Sequence, residues 1–271
     1  MQSSVQWKRR LAALQAGLLA VLLVLFVPAA AFAEGDAAPA PQAKRIGVVS
    51  ILGDLLYDDH IGFTAFGNKL EKHDVSEWGL DDVWEGKIGA ALADLSGAEI
   101  VPLSADRAAL RVAYPTADDE KSIIAQYRYP KLKRITETLR QLAADNQLDE
   151  IVMLASDAYE LAGSNQSIES FGLVTFGGSG PGFYYMVADL YLIDGATGEA
   201  KTSKSLQDAH SDREHFGKLP SMKIPDELKK TRFSAYTDEQ KAALGEEFKT
   251  MADEAIPLTL SKLTAPKKSA R

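Results

Sequence analysis

The sequence predicts an α/β (mixed α+β) fold: a single, three-layer-like domain with a mixed β-sheet, β-hairpins and packed helices. Three observations carry this. Residues 45–52 (RIGVVSIL) and 150–155 (EIVMLA) are short apolar runs bounded by turn residues, as in buried strands. Segments of helical period lie between them. After residue 168 the pattern changes to strands joined by glycine-bearing turns, which reads as antiparallel pairing.

The elements follow in order. Gly53-Asp54 ends the first strand. Residues 60–66 (HIGFTAF), the Gly67-Asn68 turn and residues 69–77 make a β-hairpin. Residues 80–95 take helical spacing, with Trp84, Ile88, Ala91, Leu92 and Leu95 on one face. Asp81 and Asp82 favour the dipole of its first turn, and Gly97 stops it. Residues 99–103 (EIVPL) form a short strand that Pro102 assigns to an edge or a bulge. Thr116 and Asp119 cap a helix to about Tyr127, and Pro130 opens another that aligns Leu132, Ile135, Leu139 and Leu142. Residues 168–176 lead through 177–182 into a long strand, 183–193. Its residues Tyr184, Met186, Ala188, Leu190 and Leu192 point one way. Residues 194–198 turn the chain and 199–206 return. Residues 208–236 read as an irregular excursion. Thr237 and Gln240 cap a closing helix, kinked near Pro257, before a basic tail at 265–271.

Composition bounds the function. The 271 residues carry 30 Lys+Arg against 38 Asp+Glu, a net charge of −8, which argues against sequence-independent nucleic-acid binding. No cysteine is present, which excludes disulfides, thiolate metal ligands, a cysteine nucleophile and lipobox acylation. Residues 1–33 read as a signal peptide. Lys8, Arg9 and Arg10 precede twelve uninterrupted apolar residues (16–27), Pro28 breaks the run, and Ala31-Phe32-Ala33 fits cleavage between Ala33 and Glu34. A retained anchor is the competing reading, although a spanning helix needs roughly 20 residues. Cleavage would leave 238 residues at a net charge of −11, with 34–44 as a flexible Ala/Pro-rich linker before a single domain at 45–264. No later segment is apolar enough to span a bilayer, so the expected location is the periplasm or outside the cell.

With RIGVVSIL at 45–52, DEIVMLAS at 149–156 and VADLYLIDGATGEAKTSKSL at 187–206, the chain resembles the periplasmic α/β domain of the TolB amino-terminal and curli-secretion (CsgG) type. The shared feature is a strand ending in Asp, a Thr-Gly turn and a returning strand. Here these are Ile193-Asp194, Thr197-Gly198 and residues 199–206. The resemblance implies a protein-interaction role in the envelope and supplies no catalytic residue. The missing lipobox cysteine departs from the lipoprotein members.

Candidate chemistry is sparse. Asp54, Asp58, Asp59 and His60 follow the first strand, where open α/β sheets place ligands, and are the candidate site for a divalent cation. Turn chemistry explains the same acids. His210 and His215 lack the zincin spacing, which needs His at i and i+4, and read as solvated loop residues. Phe176, Gly177, Gly178, Ser179, Gly180, Pro181, Gly182 and Phe183 form a glycine-rich tip without a Walker lysine or a nucleophile elbow. That tip is either a plain hairpin or a recognition loop with aromatic anchors. Trp84 belongs to the core, whereas Trp78 sits in a loop-like context open to solvent. The leading expectation is a non-catalytic protein-interaction role with an envelope protein partner, no nucleic acid and no cofactor. A metal-dependent hydrolase at Asp54, Asp58, Asp59 and His60, or a small-ligand binding module, is the alternative.

Overall fold

The computed structural model describes residues 43–62, 65–114, 131–161, 166–177, 180–206 and 216–265, all within the unit Ala43–Arg271. The predicted cleavage site at Ala33 and Glu34 lies outside the described residues, as do the predicted helix at 116–127 and both loop histidines.

Strands buried on both faces form the centre. β1 (Arg45–Ser50) and β5 (Glu150–Ser156) run parallel, with Gly47 opposite Ile151. Near-continuous apolar sequence is what such strands need, since neither face meets water. β4 (Glu99–Val101) pairs parallel to the other side of β1. β10 (Ala188–Asp194) runs antiparallel to β5, and β11 (Ala200–Ser205) antiparallel to β10. The first sheet therefore reads β11-β10-β5-β1-β4.

Five of the remaining strands make a second sheet, so the one mixed sheet expected is divided. β2 (Leu55–Ile61) pairs antiparallel with β3 (Lys69–Asp74) and parallel with β8 (Phe171–Phe176); the hairpin's first arm thus lies at 55–61 and not at the expected 60–66, where Ala65–Gly67 form a 3-10 turn. β9 (Phe183–Met186) and β12 (Ser221–Lys223) complete the order β12-β9-β8-β2-β3. A two-stranded ribbon joins β6 (Ala158–Glu160) to β7 (Ser167–Glu169).

Val187 explains the division. The single strand expected over 183–193 breaks there: its N–H donates to the Ser170 carbonyl at 2.6 Å, so β9 pairs in the second sheet and β10 in the first. Ser170, at φ 60°, makes the matching break between β7 and β8. The predicted alternation survives the break, because Tyr184, Met186, Ala188 and Leu190 all enter one core that spans both sheets. Close approach of β8 to β2 requires glycine at 172, where a Cβ would stand 1.9 Å from the Tyr57 carbonyl oxygen.

α1 (Leu80–Ser96) covers that core. Trp84, Ile88 and Leu92 are fully buried, and Gly97 at φ 62° ends the helix as expected. Leu95, expected on the same face, is half exposed. α4 (Asp238–Met251) and α5 (Ala255–Thr264) complete the layer. The expected kinked helix is two helices, separated at Ala252–Glu254. The Thr237/Gln240 capping box is formed at both ends. Trp78 is buried and stacks on Phe248 at 6.1 Å, a correction to its loop-like reading.

The opposite face of the first sheet packs on α3 (Lys131–Asp145) through Ile135, Leu139 and Ala143. α2 (Arg107–Ala113) adds Leu110 and starts at Asp106, whose carboxylate accepts from the Ala109 N–H. The first sheet thus lies between two helical layers. No helix among the described residues is long and apolar enough to cross a membrane.

Candidate functional site

The pleat of β2 separates the four predicted ligands. Consecutive strand residues face opposite sides, so Asp58 and Asp59 diverge. Asp59 accepts a 2.7 Å hydrogen bond from the Tyr185 hydroxyl beneath the second sheet. Asp58 faces the other way and is fully buried. His60 shares its side, with Nδ1 2.9 Å from Thr175 Oγ1. Asp54 lies before the strand and pairs with Arg111, which also holds Asp81. The set does not converge on one point, a correction to the sequence reading imposed by strand geometry.

Asp58 instead meets two residues of β3. In the hairpin register it stands opposite Glu71, and His73 is two residues further along the same face. Ligand atoms of Asp58, Glu71 and His73 lie within 4.8 Å of one another. A guanidinium already serves these acids: Arg232 Nε is 3.1 Å from Asp58 Oδ2, and its Nη2 is 3.3 Å from Glu71 Oε1. Nη2 also donates to the Asp58 carbonyl at 2.9 Å, and the Phe233 N–H donates to Asp58 Oδ2 at 2.9 Å. Two carboxylates opposed across a ladder repel, and the guanidinium offsets that repulsion. A divalent cation would have to displace it. Burial raises the Asp58 carboxyl above its ordinary range, against the lowering effects of the Phe233 N–H and Arg232.

Beside this cluster opens a cavity of about 250 Å³, lined by Asp58, His60, Lys69, Thr175 and the consecutive residues Lys229 to Arg232. Sequence reading missed Glu71, His73 and Arg232. The available signals were the i, i+2 pair on β3 and the Lys-Lys-Thr-Arg run, hidden in a segment read as irregular.

The glycine-rich tip presents less than its composition suggests. Gly178 and Ser179 lie outside the described residues. Phe183 stacks on Phe216 at 4.9 Å and Phe176 meets the same ring at 5.8 Å. Both aromatics pack against a small cluster that includes Ile168, Val174, Tyr185 and Leu219. Gly177 closes the strand end by donating to the Ile61 carbonyl, Gly182 lies against Ile224, and Pro181 is exposed.

A larger concavity lies at the edge of the first sheet. It measures about 570 Å³ and runs between α1 and β4, with Gly86, Gly89, Ala90 and Ala93 on the helix side and Ile100 to Leu103 opposite. Small side chains on α1 create its depth. The approach is tight, since a Cβ at Gly89 would stand 3.3 Å from Ile100 Cγ2. One end is polar: Arg107 makes ion pairs with Asp82 and Glu85 at 2.6 and 2.7 Å. Glu85 also accepts from the Ser50 N–H at 2.8 Å, fixing the helix to β1. β4 ends the sheet order, and among the described residues no strand lies on its outer side. The Glu99 N–H donates inward to the Lys44 carbonyl, so strand alternation turns the Ile100 N–H outward.

The Asp194 hairpin that carried the family resemblance is a side-chain-closed turn. Asp194 Oδ1 accepts from the N–H groups of Ala196 and Thr197 at 3.0 Å, and Lys201 pairs with Oδ2 at 2.8 Å. These contacts hold its carboxyl below the ordinary range, Lys201 first.

No family model matches the sequence and no curated protein matches it. Solved structures that resemble the chain weakly include the following three. A PelC L103M dodecamer from Paraburkholderia phytofirmans is 7% identical, with a TM-score of 0.27 over 80% of this chain and 88% of that one. The LpoB C-terminal domain from Salmonella enterica is 9% identical, with a TM-score of 0.25 over 63% and 85%. Lipoprotein GNA1162 from Neisseria meningitidis is 11% identical, with a TM-score of 0.24 over 76% and 94%. Likeness at this level assigns neither family nor activity.

Proposed function

We propose that this chain is an exported, non-catalytic binding module of the bacterial envelope, with the groove between α1 and β4 as its contact surface for a partner protein. The groove carries the reading. It joins an apolar trench to a strand edge with outward backbone groups, the combination that receives an extended segment by strand addition. Apolar side chains of that segment would fill the trench over Gly86 and Ala90, while its backbone pairs with Ile100. The export signature at residues 1–33 supports placement in the periplasm or outside the cell. The TolB and CsgG resemblance, resting on residues 45–52, 149–156 and 187–206, supports an envelope role in the same direction.

Photocrosslinking tests this. A photoreactive residue at Ala93, in the groove, should trap a discrete envelope protein in living cells; one at Lys133, an exposed position on α3, should not. Equal capture from both positions, or none from Ala93, would overturn the assignment.

A further inference from the structure

The cavity beside Arg232 has the donor set of an oxyanion site. In a chain with a net charge of −8, its lining gathers four cations, Lys69, Lys229, Lys230 and Arg232, with the hydroxyls of Thr175 and Thr231. Among the described residues Asp58 is the one carboxylate in that lining, and it is buried and already engaged by Arg232 and the Phe233 N–H. Lys229 is paired with Asp226 at 2.6 Å, but Lys69 and Lys230 have no carboxylate partner among the described residues. Arg232 is held in place by Asp58 and Glu71 and adds a fixed positive charge to the lining. A positioned guanidinium beside two lysines that no carboxylate among the described residues neutralises gives the cavity a standing attraction for an anion.

We propose that this cavity binds a phosphoryl group, as free phosphate or as a phosphate monoester. The Thr175 hydroxyl is already bonded to the Asp59 carbonyl and His60, so the donors come from two separate segments, Lys69 on β3 and residues 229–232, and converge on the cavity in several directions. A tetrahedral oxyanion offers acceptors in those several directions, whereas a planar carboxylate offers two oxygens in one plane. The volume of about 250 Å³ accommodates the phosphoryl group and leaves the body of a monoester outside. The site lies on the second sheet, and nothing in it depends on the groove at β4.

Calorimetric titration of the purified protein decides the matter, with inorganic phosphate, glycerol phosphate and acetate as separate ligands at low ionic strength. Vesicles of phosphatidylcholine with and without phosphatidic acid test a lipid source of the same group. The expected result is saturable one-to-one binding of at least one phosphoryl ligand, weakened about tenfold or more by Lys69→Glu or Lys230→Glu and unchanged by Lys133→Glu. All three lysines are exposed, so charge reversal spares the core. Failure of every phosphoryl ligand to bind would overturn the proposal. So would equal binding of acetate, or equal weakening by Lys133→Glu, which would reduce the effect to general surface charge.

Discussion

Asp81 joins three parts of the chain. Its Oδ1 accepts from Ser50 Oγ at 2.5 Å and from the N–H groups of Leu52 and Gly53 at 3.2 and 3.1 Å, while Oδ2 pairs with Arg111. The sequence marked Asp81 as a first-turn acid. It could not show that the same carboxylate closes the passage from β1 to β2, because those partners lie 28 to 31 residues away. Asp81→Ala should therefore cost about 3 kcal/mol in urea denaturation, since it strands buried donors and one side of Arg111. A pH dependence accompanies it. Burial raises the Asp81 carboxyl above its ordinary 3.8, against the lowering effects of Ser50 and Arg111. Above 3.8 and up to the raised value the folded state binds more protons than the unfolded state, so this contribution to stability is present at low pH and is lost as pH rises through the folded pKa. Relative to Asp81→Asn, the natural protein should lose stability with rising pH across that window. Denaturation midpoints from about pH 3.5 to pH 7 give the comparison.

Elements whose cues are local were readable. β1 and β5 announce themselves as apolar runs, α1 through its stripe and Gly97, and α4 through a complete capping box. Thr237→Ala should lower stability by about 1 kcal/mol, read from the thermal midpoint, because the Gln240 N–H loses its acceptor. Elements shaped by long-range pairing were not readable. Nothing in residues 183–193 distinguishes one long strand from two, because apolar alternation runs unbroken through Val187; the break is set by the Ser170 carbonyl 17 residues earlier. The site was hidden for the same reason. Asp58 and His60 were singled out for their neighbours in sequence, yet their working neighbours are Glu71 across the hairpin, Thr175 on β8 and Arg232 far along the chain. Only Asp58 and His60 of the four candidates line the cavity.

At the scale of the molecule, one continuous core crosses both sheets beneath α1, α4 and α5. The two concavities sit on different sheets: the groove at the β4 edge of the first, the basic cavity on the second. Binding at either should therefore survive changes at the other. The groove is the central claim, and filling it is the direct test. Ala90 is exposed on its helical wall, so Ala90→Trp occupies the trench without entering the core. The measurement is the yield of partner crosslinked through Ala93 in the natural protein and in Ala90→Trp, with thermal midpoints taken on both. The account predicts that the tryptophan abolishes capture while the midpoint stays unchanged; undiminished capture from a filled groove would contradict it.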